Sequence, residues 1–127
     1  MLRITMRDVD AQYIQMIYED CRRIVEIAKK HGVSISVEYH QNTLTDTPKS
    51  ARSLLGAVDG LYSYWQAFGD RTVEQQLSNI NQLGSRLTNV HVHHLKDGKI
   101  EPLIEGKSCW LEYVRCLKQL PGERYLF

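Results

Sequence analysis

Apolar residues along the chain alternate between a helical and a strand-like period, and this alternation limits the folds available. Candidate strands start near residues 33, 61, 89 and 124, with amphipathic segments before the first strand and between successive strands. Strands that alternate with helices at intervals of about 30 residues are joined by right-handed crossovers and lie parallel. The sequence therefore predicts an α/β fold with a parallel sheet.

The first helix is predicted over residues 10–31, followed by Gly32 as its stop signal. Its apolar side chains recur every three or four positions, which places them on one face of a helix. These residues are Ile14, Ile17, Cys21, Ile24 and Ala28.

Start signals predict three further helices. Asp46-Thr47-Pro48 places a capping candidate before a proline, Thr72 and Gln75 form a capping box, and Ser108 is a candidate cap for the last helix. The inward faces are expected to carry Ala51, Leu54, Leu55 and Val58 in the second helix, Val73, Leu77, Ile80, Gly84 and Leu87 in the third, and Trp110, Val114 and Leu117 in the fourth.

Four strands are predicted from β-branched and aromatic residues at period two. They are Val33–His40, Leu61–Ala67, Asn89–His94 and Arg124–Phe127. Two architectures fit this order, a small doubly wound sheet or part of a (β/α)8 barrel. A barrel needs about 250 residues, so we predict one partial barrel domain over 1–127, with a leading helix at 10–31 and βα units from 33 to 127. A doubly wound small-ligand-binding domain is the alternative.

Composition excludes several classes of protein. The formal net charge is +1, from 16 basic and 15 acidic residues, without a basic stripe, so nucleic acid is not an expected partner. No apolar run approaches the roughly 20 residues of a membrane span, and the N-terminus lacks the apolar region of a signal peptide. Three cysteines without CxxC spacing indicate reduced, packed thiols on helices. We therefore expect a cytoplasmic protein without a membrane segment.

Polar and titratable side chains cluster at the carboxyl ends of the predicted strands, where parallel α/β folds bind their ligands. These residues are Glu38 and His40 after the first strand, Trp65 and Gln66 at the end of the second, and His91, His93, His94 and Lys96 at the end of the third. Strand alternation places His91 and His93 on one side and His94 on the other. Lys96-Asp97-Gly98 has turn chemistry and is expected to end this strand at the site.

Glu38 ends a strand of small and apolar residues, where a carboxylate is costly unless it is paired or bound to a cation. Divalent metals accept mixed carboxylate and imidazole ligands, and such an ion can polarise a sugar carbonyl. Other interpretations remain open at this point: Glu38 as a hydrogen-bonded strand end, His91 as a core histidine, and Trp65 as an ordinary core aromatic.

Three runs of sequence carry a family resemblance. VSISVEYHQNTLTD, LYSYWQAFGDRTVEQQL and TNVHVHHLKDGKIEPLIEG resemble the sugar phosphate isomerase/epimerase family, the xylose isomerase-like (β/α)8 barrels related to tagatose-type 3-epimerases and to endonuclease IV-type AP endonucleases. The resemblance covers residues 32–127, in the order of barrel strands five to eight. It implies half of a TIM barrel.

The resemblance also implies a metal centre. The family uses a Glu on strand five, an Asp or similar residue on strand six, a His on strand seven and a Glu on strand eight. Glu38 matches the first and would act as both ligand and base, and Gln66 stands on strand six. His93 is the best match on strand seven, with His91 beside it and His94 as an alternative ligand. The expected cofactor is a divalent metal, Mn²⁺, Mg²⁺, Co²⁺ or Zn²⁺.

The resemblance further implies a sugar or sugar phosphate as substrate, which is converted by proton transfer at the carbon next to a carbonyl. Its contacts are expected from His40, Trp65, Gln66, His91 and Lys96. Two departures matter: strand six has Trp65-Gln66 where many members have Asp, and the strand-eight Glu would be expected just after Phe127. We therefore expect a truncated enzyme, with at best partial activity unless chains associate.

A second hypothesis is a non-catalytic half-barrel that pairs its exposed sheet with a copy of itself. A two-fold homo-oligomer is the commonest closed arrangement of this kind. A nuclease of the AP-endonuclease type is disfavoured by the near-neutral charge and by the shortage of His, Asp and Glu ligands.

Overall fold

The structure is a computed structural model that describes residues 11–127, so the predicted helix start at residue 10 lies outside the described residues. The described helices are α1 Ala11–Lys30, α2 Pro48–Ala57, α3 Val73–Leu83 and α4 Lys107–Gln119. The strands are β1 Ile35–Glu38, β2 Leu61–Gln66, β3 Leu87–His91, β4 His94–Lys96, β5 Lys99–Glu101 and β6 Tyr125–Leu126. Short 3-10 turns lie at Gly84–Arg86 and Leu103–Gly106.

The main sheet is parallel, and its strands follow one another in the order β1-β2-β3-β6. At one edge, Asn89 lies opposite Tyr125 and Val90 opposite Leu126. A doubly wound sheet reverses its strand order at a switch point, and this sheet shows no such reversal. The prediction of parallel β/α units is therefore confirmed, and the doubly wound alternative is wrong.

The third strand is shorter than predicted. It ends at His91 instead of His94, because His94–Lys96 pairs antiparallel with Lys99–Glu101 to form a hairpin. Asp97 and Gly98 connect the two hairpin strands with φ values of 51° and 75°, the left-handed pair that a tight two-residue hairpin turn requires. The Lys-Asp-Gly turn was thus predicted at the right place, but it closes a hairpin instead of ending the parallel strand.

Two of the three predicted helix caps are confirmed. Thr47 caps α2 and Thr72 caps α3, each in a reciprocal capping box. The prediction for Ser108 is wrong, since α4 begins after Gly106 and no side chain caps it.

The buried faces of α1 and α4 agree with the prediction except at single positions, whereas the buried face of α3 is shifted by about one position. In α1, Val25 is buried and Ile24 is half exposed. In α3 the buried residues are Gln76, Asn79, Ile80 and Leu83. The helix stops at Leu83, so Gly84 and Leu87 lie beyond it, in the 3-10 turn and in β3. In α4 the buried residues are Trp110, Tyr113 and Leu117. The shift in α3 has a polar cause that apolar periodicity does not register: Gln76 Nε2 donates to the Phe68 carbonyl at 2.6 Å.

Contacts divide the chain into two compact units, residues 1–63 and 64–127. In the first unit Gly60 adopts a φ of 79° and lies close to α1, where a Cβ atom would come within 2.8 Å of the Lys29 side chain. The second unit is centred on Trp65, Ile80, Val90 and Trp110, all buried. No helix within residues 11–127 is long and apolar enough to cross a membrane.

The three cysteines lie on helices as free thiols, as predicted. Cys21 is on α1, and Cys109 and Cys116 are on α4. Burial, reinforced by the charge of Asp20, raises the pKa of the Cys21 thiol. Burial also raises the pKa of Cys116, against a hydrogen bond to Asn81 that lowers it.

Removal of the α3 cap is expected to destabilise the chain. Thr72→Ala deletes the oxygen that accepts from the Gln75 amide at 3.3 Å, and the free energy of unfolding should fall by about 1 kcal/mol. Urea denaturation measures this change. Thr72→Ser keeps the cap and should behave like the wild type; equal losses in both variants would contradict the capping role.

Cys116 should react slowly with a thiol reagent at pH 8. Its raised pKa leaves less of the reactive thiolate at that pH than in the unfolded chain, so the rate should increase as the pH rises. The test compares a variant that retains only Cys116, folded and in urea, by the release of a coloured thiol product. Equal rates in the two states would contradict the effect of burial.

Candidate functional site

The three clustered histidines lie at the carboxyl end of β3, in the second unit. His91 is the last residue of the strand, His93 follows it outside regular structure, and His94 opens the hairpin. The His91 and His93 rings are neighbours, with centroids 5.0 Å apart and planes inclined by 74°. The side-by-side placement expected from strand alternation is therefore observed for this pair.

The exposed His91 ring is held by an aromatic contact. It stacks on Phe127 with centroids 5.6 Å apart and an interplanar angle of 13°. Phe127 also contacts the edge of Tyr64 at 6.0 Å. The backbone joins the same strands, since Phe127 N donates to the Val90 carbonyl at 3.0 Å. The end of β6 therefore orients His91.

The electrostatics of His93 favour its neutral form. Partial burial lowers its pKa, and the nearby His91 and His94 lower it further, against a hydrogen bond to the Ala67 backbone that raises it. A carbonyl oxygen only accepts hydrogen bonds, so the ring nitrogen that faces Ala67 carries the proton. The other nitrogen of the neutral ring then presents a lone pair, as a metal ligand or base requires.

Helix α4 fixes the backbone and the last ring of the cluster. Trp110 Nε1 donates to the His93 carbonyl at 3.0 Å. The His94 ring lies against Gly106, where a Cβ atom would stand only 2.5 Å from His94 Nδ1. The absence of a side chain at 106 therefore allows this ring to approach the start of the helix.

A small pocket of about 110 Å³ opens beside His93 and His94. Its other titratable lining residues are Arg71, Cys109 and Tyr113, and no carboxylate lines it among the described residues. The Arg71 guanidinium lies 4.4 Å from the centre of the Phe68 ring. Burial, with smaller contributions from Cys109 and Glu74, raises the pKa of Tyr113 to about 12. Arg71 therefore brings a positive charge to the lining of the pocket.

Sequence reasoning missed Arg71, Cys109 and Tyr113 as parts of this pocket. Arg71 lies in a loop next to a capping signal, and the other two lie on a helix predicted to serve the core. Only the fold brings these three residues to the histidines, because they lie up to 23 positions away along the chain, the distance from Arg71 to His94. No local pattern marks them.

The other candidates of this unit have different environments. Trp65 is fully buried, with its ring edge-on to Trp110 at 6.2 Å and to Tyr113 at 5.4 Å. This gives Trp65 a packing role, and its expected contact with substrate stays a prediction. Gln66 is 7% exposed. Lys96 is exposed in the hairpin, opposite Lys99.

Glu38 and His40 belong to the first unit, at the end of β1. Thr45 Oγ1 donates to the Glu38 carbonyl, and Thr43 Oγ1 donates to the His40 carbonyl at 2.7 Å. Glu38 also borders a cavity of about 240 Å³ that Cys21 and other residues of this unit line. The loop after β1 is therefore folded back onto the strand end.

The donor atoms fit a divalent metal in part. Two imidazoles of the cluster are adjacent, and partial burial lowers the pKa of one of them, His93. Within residues 11–127, however, no three His, Cys, Asp or Glu side chains are grouped so as to hold a metal ion. The histidine cluster alone supplies at most part of a ligand set.

Comparison with known proteins supports the architecture. No family model matches the chain, and no curated protein sequence is significantly similar to it. Among solved structures, it is similar to the probable 3-DHS dehydratase AsbF involved in the petrobactin synthesis from Bacillus anthracis, with a TM-score of 0.81 and 21% sequence identity. The match covers 98% of this chain and 54% of that one, so the chain spans about half the length of the solved protein. The chain has the fold of half a TIM barrel.

Proposed function

We propose that the chain serves a sugar isomerase/epimerase-like reaction, in which a proton is removed from the carbon beside a carbonyl group. The observation that carries the proposal is the His93 ring. Partial burial lowers its pKa and so favours the neutral ring, which bonds to the Ala67 backbone and follows the carboxyl end of a parallel strand. TIM-barrel enzymes place their catalytic groups at that end of their strands.

The histidine cluster and Glu38 have different proposed roles. His93 is a metal ligand, with His91 and His94 as alternatives, and this part rests on the geometry of the second unit. Glu38 is a ligand and the base that accepts the proton, and this part rests on the family resemblance. When a divalent ion is bound, it supplies Lewis acidity at the substrate carbonyl.

The pocket beside His93 supports an anionic substrate. Arg71 provides a charged group that is stacked on Phe68, and the phenol of Tyr113 stays neutral at physiological pH. A guanidinium that lines a pocket suits a phosphate or carboxylate substituent. A sugar phosphate, or a sugar-derived acid, therefore fits better than a neutral sugar.

The similarity to a dehydratase is compatible with this reaction class. Elimination of water next to a carbonyl and keto–enol isomerisation share their first step, the loss of a proton from the carbon beside the carbonyl. A half-barrel that supplies ligands and a base for that step serves either reaction.

Metal binding tests the role of His93. Titration with Co²⁺ alone, followed by visible absorption, should show binding by the wild-type protein. His93→Gln should weaken it by a factor of about ten or more, whereas the matched change His31→Gln, on an exposed residue after α1, should not. If the wild type binds no metal, or if His94→Gln and not His93→Gln removes binding, the assignment of His93 is wrong.

Proton exchange tests the role of Glu38. Keto-sugar phosphates incubated with the metal-loaded protein in deuterated water should gain deuterium beside the carbonyl, which proton NMR detects. Glu38→Gln should slow this exchange by about 100-fold or more, since it removes the base. Glu26→Gln, an exposed change on α1, is the control. Undiminished exchange in Glu38→Gln would contradict the assignment.

A further inference from the structure

Helix α1 has a second apolar stripe that faces outward. Its inner stripe contains the buried Val25 and Ala28. Its outer stripe consists of Tyr13, Met16, Ile24 and Ile27, which are between 50% and 59% exposed. The spacing of these four residues places them on one side of the helix. No described residue covers this stripe, which is unusual for four large apolar side chains on a water-facing surface.

Helix α4 has an exposed apolar groove. The groove has a volume of about 370 Å³ and is lined by Leu103, Ile104, Lys107, Trp110, Leu111 and Val114. Ile104 is 71% exposed and Leu111 is 47% exposed. Val114 also lines a neighbouring cavity that reaches Leu126 of β6. The apolar surface thus runs from the 3-10 turn along α4 to the edge strand.

Each surface lies on the helix that precedes one of the two end strands in the order of the described sheet. β1 and β6 are the edge strands of the order β1-β2-β3-β6, and an edge strand can pair with another chain. Helix α1 directly precedes β1, and α4 directly precedes β6. If β1 of a second copy paired with β6, the α1 of that copy would therefore lie next to α4.

We propose that a second copy of this chain docks here, with the outer stripe of its α1 in the α4 groove. The chain carries both the stripe and the groove, so two copies can exchange the contact reciprocally in a two-fold dimer. Four parallel strands from each copy give the eight of a TIM barrel. The similarity to AsbF over 54% of that chain agrees with this count, because one copy accounts for about half of such a barrel. The inference is independent of the proposed catalysis.

The charges of the two surfaces are complementary. Asp20 lies within the outer stripe by its spacing from Met16 and Ile24, its side chain is 67% exposed, and its carboxylate lies 3.6 Å from the Arg23 guanidinium of the same helix. The charged residues that line the groove and the adjoining cavity are Lys107, Lys118 and Arg124, all cationic. On docking, the Asp20 carboxylate would meet these cations in addition to Arg23 of its own helix.

Sedimentation equilibrium at micromolar concentrations tests the proposal. The wild type should be a dimer. Ile27→Lys and Leu111→Lys should each raise the dimer dissociation constant by about tenfold or more, since each buries a charge in an apolar contact. Glu26→Lys, one position away on α1 but outside the stripe, is the matched control and should dimerise normally. Circular dichroism verifies that each variant is folded.

Charge reversal distinguishes specific docking from nonspecific hydrophobic association. Asp20→Lys should weaken dimerisation by about threefold, and adding Lys107→Glu and Lys118→Glu in the same chain should restore it. Failure of this rescue would contradict the proposed contact. A wild type that remains monomeric would also contradict it and would assign the groove to a different chain. So would a molecular mass that increases beyond that of the dimer as the protein concentration rises.

Discussion

The packing of α4 on the end of β2 is the interaction on which the candidate site depends. Trp65, Trp110 and Tyr113 form an edge-to-face aromatic cluster, with each pair of ring centroids between 5.4 and 6.2 Å apart. Aromatic pairs in this arrangement contribute more than their buried area alone. Trp110 extends the cluster to the histidine segment through its hydrogen bond to the His93 carbonyl. The histidine segment is thereby joined to helix α4.

Most of the architecture could be predicted because local signals and the fold agree. Proline and threonine at the start of α2, and the Thr72–Gln75 box of α3, are start signals that the structure uses as such. The spacing of the strands predicts a parallel sheet, because the connection between two parallel strands needs about a dozen residues or more. Where several local sequence signals predict the same secondary structure, tertiary contacts change it little.

The predictions failed where distant residues decide the local structure. β3 ends at His91 because His94–Lys96 pairs with Lys99–Glu101 in a hairpin. The short alternation of Val and His gave no sign of that competition. The pocket beside His93 depends on Arg71 and Tyr113, which reach it through the packing of two helices and a loop. Unequal roles for the three histidines were predicted from the sequence, whereas the contacts of each ring depend on residues elsewhere in the chain.

Gly106 shows how one position can depend on another. Its backbone angles, φ −90° and ψ 9°, are accessible to every residue type, so its own conformation does not require glycine. What excludes a side chain is the His94 ring, whose Nδ1 lies only 2.5 Å from the position that a Cβ atom would take. Positions 94 and 106 should therefore vary together among sequences of this fold. Glycine is needed at 106 only while a large ring stands at 94, and a chain that loses the histidine becomes free to replace the glycine.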